Sequence, residues 1–76
     1  MMNVSQREFR YMKEHVTKCL IALLMERKGV SLHEAFDIVY NSNIFAKLSD
    51  PETGLYFQSP GYVYSYLETE MSKAQA

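Results

Sequence analysis

From Phe9 onward, apolar side chains return every three or four residues: Phe9, Met12, Val16, Cys19, Leu20 and Leu23. At about 100° per residue these six fall within about a third of a helix's circumference. The spacing predicts one long helix over Ser5–Lys28 with that stripe turned to the core. Ser5 precedes Glu8 by three residues, the spacing at which a serine hydroxyl and a glutamate cap each other's backbone amides. Arg27 and Lys28 put basic side chains in the last turn, and Gly29 is free to adopt the left-handed conformation that ends a helix. Ile21, Ala22, Leu24 and Met25 leave the stripe, so beyond Cys19 the helix is apolar nearly all round. A helix apolar on two sides needs cover on two sides, which makes its C-terminal half the expected centre of the fold.

A second capping pair, Ser31 and Glu34, opens a helix over about Leu32–Asn41, with Leu32, Ala35, Phe36, Val39 and Tyr40 at the spacing of a buried face. Ile38 is left as an exposed outlier beside His33, Glu34 and Asp37. After the break Asn41-Ser42-Asn43, a short helix over about Ile44–Leu48 offers Ile44, Phe45 and Leu48 as contacts. Pro51 and Gly54 mark a turn over Ser49–Gly54. Leu55–Gln58 reads as extended, a lone short strand or one that pairs with another copy. Ser59 as cap and Pro60 at the first helical position start a last helix over about Pro60–Met71. Its expected inner face is Tyr62, Val63, Tyr66, Leu67 and Met71, with Tyr64 and Glu68 pointing elsewhere, and Ser72–Ala76 is expected to fray.

The predicted fold class is therefore all-α: a small helical bundle with one long N-terminal helix, three shorter helices and an ordered Pro/Gly loop before the last. All 76 residues form one domain, ordered over about 5–71. Hydrophobic content of 47% and charged content of 22% are those of a globular chain. A chain this short buries only about 60% of its unfolded surface. Cys19 is the single cysteine and has no partner within the chain, so association with a partner or with itself is the remaining route to added stability.

The net charge of −1 conceals two halves of opposite sign. Residues 1–28 hold Arg7, Arg10, Lys13, Lys18, Arg27 and Lys28 against Glu8, Glu14 and Glu26, a balance of +3. Residues 29–76 hold Lys47 and Lys73 against Glu34, Asp37, Asp50, Glu52, Glu68 and Glu70, a balance of −4. Such polarity orients a partner but falls short of the basic stripe of a nucleic-acid binder. No secretory signal or membrane span is expected, since the longest apolar run, Cys19–Met25, is only seven residues. With one cysteine and no export signal, the expected location is the cytoplasm.

Chemistry-bearing residues are sparse. His15 and Cys19 stand at i, i+4, a spacing that can clamp a metal, with His33 as a third ligand. No second motif supports that, and a cysteine in a core stripe is ordinarily buried and inert. The same pair could serve as nucleophile and base, yet no oxyanion hole or glycine-rich pocket accompanies it. Helix capping accounts for Ser5, Ser31 and Ser59, and no glycine-rich phosphate cradle is present. Neither catalysis nor a cofactor, metal or small-molecule ligand is expected. As a recognition helix, Ile44–Leu48 would offer one lysine on little more than a turn.

The tyrosines carry more. Four of the six, Tyr56, Tyr62, Tyr64 and Tyr66, fall within eleven residues. Core packing needs two of them, assigned to Tyr62 and Tyr66, which leaves Tyr56 and Tyr64 either as interface anchors, with Phe57 and Ile38 as apolar companions, or as aromatics that complete a thin core. Tyrosine suits that role because one end is apolar and the other hydrogen-bonds.

The segments Ala35–Ser42, Phe45–Tyr56, Gln58-Ser59 and Tyr62-Val63-Tyr64, with Leu67 and Glu70 toward the end, resemble a family of short bacterial proteins of unknown function. The shared pattern is a helix ending in Tyr-Asn-Ser, an acidic turn, Thr-Gly-Leu-Tyr, a serine, then a tyrosine-bearing helix and a terminal glutamate. It covers about residues 16–71. The resemblance brings no catalytic residues. It implies a small antitoxin-like or accessory subunit, since members of such families are often encoded beside toxin-like or ADP-ribosyltransferase-like genes. The leading expectation is a non-enzymatic protein-interaction module, homo-oligomeric or bound to a partner protein. The alternative is a small nucleic-acid-binding transcriptional regulator with Arg7, Arg10 and Lys13 on phosphates.

Overall fold

The computed structural model describes residues 5–75. Among these the fold is all-α: α1 (Gln6–Lys28), α2 (Leu32–Tyr40), α3 (Asn43–Leu48) and α4 (Pro60–Gln75), with two 3-10 turns, Pro51–Thr53 and Leu55–Phe57, between α3 and α4. The molecule measures 37 × 23 × 18 Å. Its long dimension is about that of α1 itself, 23 residues at about 1.5 Å each. The other elements fold back on this one rod.

The helix ends follow from capping chemistry. The Ser5 hydroxyl accepts the Glu8 amide at 3.1 Å, and the Glu8 carboxylate accepts the Ser5 amide at 2.9 Å. At the other end Gly29 takes φ 69°, and its amide donates to the Met25 carbonyl. The Ser31 and Ser42 hydroxyls cap α2 and α3 with a single bond each, accepting the amides of Glu34 and Phe45. The start of α3 has a second, long-range cap: Glu70 on α4 accepts the amides of Asn43 at 2.8 Å and Ile44 at 3.0 Å. A six-residue helix cannot stabilise itself, and this carboxylate pins it to α4.

The core is Val16, Leu20 and Leu24 of α1, Ala35 and Val39 of α2, Ile44 and Leu48 of α3, Tyr56 of the second 3-10 turn, and Val63, Tyr64 and Leu67 of α4. Compared with the sequence expectation, the buried arc of α1 is rotated toward Thr17 and Leu24 and away from Cys19. Thr17 is tolerated there because its hydroxyl donates to the Lys13 carbonyl one turn back, at 2.8 Å. Cys19 is consequently half-buried, not buried.

Two further expectations are corrected. Leu55–Gln58 is not extended: the Phe57 amide donates to Gly54 and the Gln58 amide to Leu55, which closes a 3-10 turn. Gly54, at φ 72°, makes the reversal that joins this turn to the preceding one. With no strand among the described residues to pair with, satisfying amides locally is the favourable outcome. The last helix continues past Met71 to Gln75, and Ala76 lies outside the described residues.

Candidate functional site

The four residues expected to face a partner divide between core and surface. Tyr64 is 1% exposed and Tyr56 6%. Tyr56 meets Phe9 of α1 edge to face at 4.8 Å, and the Arg27 guanidinium lies 5.2 Å from the Tyr64 ring centre. Ile38 is half-buried and packs against the core. Only Phe57, leaning on Tyr56 at 4.4 Å between ring centres, remains at the surface. Conversely Tyr62 and Tyr66, expected inside, are 47% and 45% exposed. The reason is angular. Val63, Leu67 and Met71 belong to either reading of α4, and the choice lies between Tyr64 on one flank and Tyr62 with Tyr66 on the other. Choosing Tyr64 closes the arc to about 100°, which fits against one neighbouring helix; the other flank widens it to about half the circumference.

The surface that results carries two aromatic features. On α2, Leu32, Phe36 and Tyr40 stand one turn apart and are each about half exposed. Phe36 stacks on Tyr40 with ring centres 4.1 Å apart and planes 13° from parallel. Tyr40 leans on Phe45 of α3 at 4.5 Å, and the Lys13 ammonium lies 5.6 Å from the Phe45 ring centre. This is one continuous ladder from α2 across α3 to α1. Leu32, Phe36 and Tyr40 were assigned to the core by their spacing, but only Ala35 and Val39 on that helix are fully inside.

The other feature is the Tyr62–Tyr66 pair on α4. The rings meet edge to face at 5.1 Å and their hydroxyls hydrogen-bond at 2.9 Å. That bond to Tyr66 holds the Tyr62 phenol above its usual range. The pair borders a depression of about 330 Å³ with Ile44, Lys47 and Leu55. The signal for both features was present in the chain as apolar positions in excess of a single arc.

His15 and Cys19 do come together, Nε2 to Sγ 3.8 Å, on an outward part of α1. His33, the third residue of that reading, is on α2 and pairs with Asp37 at 3.4 Å. Among the described residues no three His, Cys, Asp or Glu side chains gather as a metal site. Of the basic residues on α1, Lys13 and Arg27 sit over aromatic rings and Lys28 pairs with Glu68 at 3.1 Å. Arg10 and Lys13 border a shallow depression with Ser5, Phe9 and Pro51. No helix among the described residues is long and apolar enough to cross a membrane.

Fold and surface together define a small all-α protein whose most distinctive features are half-exposed aromatic clusters. No family model, curated protein or solved structure matches the chain.

Proposed function

We propose that the chain is a non-enzymatic protein-interaction module that self-associates through the α2 ladder. The observation that carries this is the row Leu32, Phe36 and Tyr40, at 60%, 46% and 44% exposure on consecutive turns of one face. Taking about half of roughly 200 Å² per side chain, the row offers about 300 Å² of apolar surface. That is the size of the largest patch on a typical monomer, and such patches commonly mark contacts. The row is also symmetric about Phe36. An antiparallel copy of α2 sets Phe36 against Phe36 and Leu32 against Tyr40, the self-complementarity that a two-fold contact requires. The area is below the roughly 800 Å² per partner of a standard interface, so the association is weak and concentration-dependent. Of the three side chains that a phosphate-binding reading would use, Arg7, Arg10 and Lys13, the last lies over the Phe45 ring, and two arginines alone make no basic stripe. In this reading the chain works in the cytoplasm as an antitoxin-like or accessory subunit, by covering a surface.

Sedimentation over a concentration series tests it. The wild-type chain shifts from monomer to dimer as concentration rises, and the Phe36→Ser, Tyr40→Ser double variant stays monomeric with its helical circular dichroism unchanged. A wild-type chain that is monomeric at every concentration, or a double variant that dimerises equally well, overturns the proposal.

A further inference from the structure

Residues 29–76 carry six acidic side chains and two basic ones, Lys47 and Lys73. The two lysines border one depression of about 480 Å³ where α3 meets α4, together with Ile44, Tyr66 and Glu70. The depression beside Tyr62 adjoins it, sharing Ile44, Lys47 and Tyr66 and continuing to Leu55. The only positive charges of an acidic half-chain therefore converge on one groove with an apolar floor and a tyrosine wall. The acid in that groove, Glu70, already has its carboxylate oxygens on the amides of Asn43 and Ile44. The next acid on α4, Glu68, is drawn away to Lys28. Among the described residues the one lysine or arginine that pairs with a carboxylate is Lys28, with Glu68, so Lys47 and Lys73 are left to a ligand.

We propose that the groove between α3 and α4 binds an acidic peptide segment of a partner protein. Lys47 and Lys73 take its carboxylates, the Tyr62 and Tyr66 hydroxyls hydrogen-bond its backbone, and one apolar side chain sits on Ile44 and Leu55. A short segment with acids either side of an aliphatic or aromatic residue matches two charges over an apolar floor. A nucleic acid, charged at every residue, would meet only two lysines in a half-chain that carries six acids. This inference rests on the reading of the chain as a protein-binding module, but not on the α2 contact, which lies on the Phe45 side of α3 and away from this groove.

The test is fluorescence anisotropy with labelled peptides in which two glutamates flank a leucine, isoleucine or phenylalanine at varied spacing. A second panel replaces each glutamate by lysine. At least one acidic peptide binds, more weakly as salt rises, and its addition moves the amide resonances of Ile44, Lys47, Tyr66 and Lys73. The Lys47→Glu, Lys73→Glu double variant weakens that binding about tenfold and gains affinity for the lysine panel. Both lysines are surface residues, so the variant keeps its fold. Three results overturn the inference: no acidic peptide bound at about 1 mM, equal binding by the double variant, or resonance shifts centred on α2. Tighter binding of a single-stranded oligonucleotide at the same residues also overturns it. Dimerisation through α2 without peptide binding removes this inference alone; loss of both removes the module reading as well.

Discussion

Replacing Tyr64 by phenylalanine takes one oxygen out of the interior and leaves the ring. Tyr64 is almost wholly buried, and among the described residues its hydroxyl is the one buried side-chain polar atom without a hydrogen-bond partner. A buried, unpaired hydroxyl costs about 1–3 kcal/mol relative to water. Against this, phenylalanine forfeits the dispersion contacts of one atom and a fraction of the attraction to Arg27, itself about 0.5–1 kcal/mol at an exposed cation. The expected balance is a gain of about 1 kcal/mol, which for a domain of this size raises Tm by about 4–8 °C. Tyr64→Ala empties the site and costs about 3–5 kcal/mol. At about 0.05–0.15 kcal/mol per residue, that removes much or all of the stability.

Urea and thermal unfolding followed by far-UV circular dichroism measure both variants. The pair separates two roles for the residue. An exposed anchor would tolerate Tyr64→Ala within about 0.5 kcal/mol, as surface positions do. If Tyr64→Phe instead lowers stability by about 1 kcal/mol or more, the hydroxyl has a partner in the folded state and the account of this core is wrong.

Two further outcomes follow from the caps. Glu70→Ala removes the acceptor for the Asn43 and Ile44 amides and is expected to cost about 2 kcal/mol. Glu70→Gln recovers part of that, and faster amide exchange confined to α3 locates the effect. The Ser5 amide and hydroxyl hold the Glu8 carboxyl below its ordinary 4.5. A depressed folded value means the carboxylate's contribution is complete above about pH 4.5 and is lost as pH falls through the lower folded value. Amide protection in the first turn of α1 should therefore decline at acid pH in the wild type. In Glu8→Gln, where the amide side chain still caps, that acid step should be absent.

Helix starts were legible in the chain because caps are local. Ser5 with Glu8, Ser31 with Glu34, and Ser59 with Pro60 each set a boundary within a residue of where it falls. Leu55–Phe57 was not legible for the opposite reason. Alternation of Leu55 and Phe57 with Tyr56 and Gln58 is the pattern of a strand, but a strand requires a neighbour, and a 3-10 turn supplies its own amides with acceptors. Much of the Thr-Gly-Leu-Tyr stretch likewise proves to be architecture. The Thr53 hydroxyl donates toward the carbonyls of Lys47 and Asp50, Gly54 turns the chain, and Tyr56 fills the core against Phe9.

The misplaced side chains share one cause, and it bears on function. Periodicity identifies which positions can belong to an apolar arc but not where a wide arc is centred. In a bundle this small each helix meets little more than one or two neighbours; of the 23 residues in α1 only Val16, Thr17, Leu20 and Leu24 are fully buried. An apolar arc of about 100° is then the most that a short helix can bury, and any wider stripe must leave a flank in water. On α2 the surplus flank is Leu32, Phe36 and Tyr40, and on α4 it is Tyr62 and Tyr66. None of these five belongs to the core or to the side chains packed directly on it, so core packing accounts for little of their apolar character. The residues best suited to contact a partner are therefore those that complete a helical stripe and still fail to be buried. Tyr56 and Tyr64, which stood outside the stripes as first drawn, are the ones the core required.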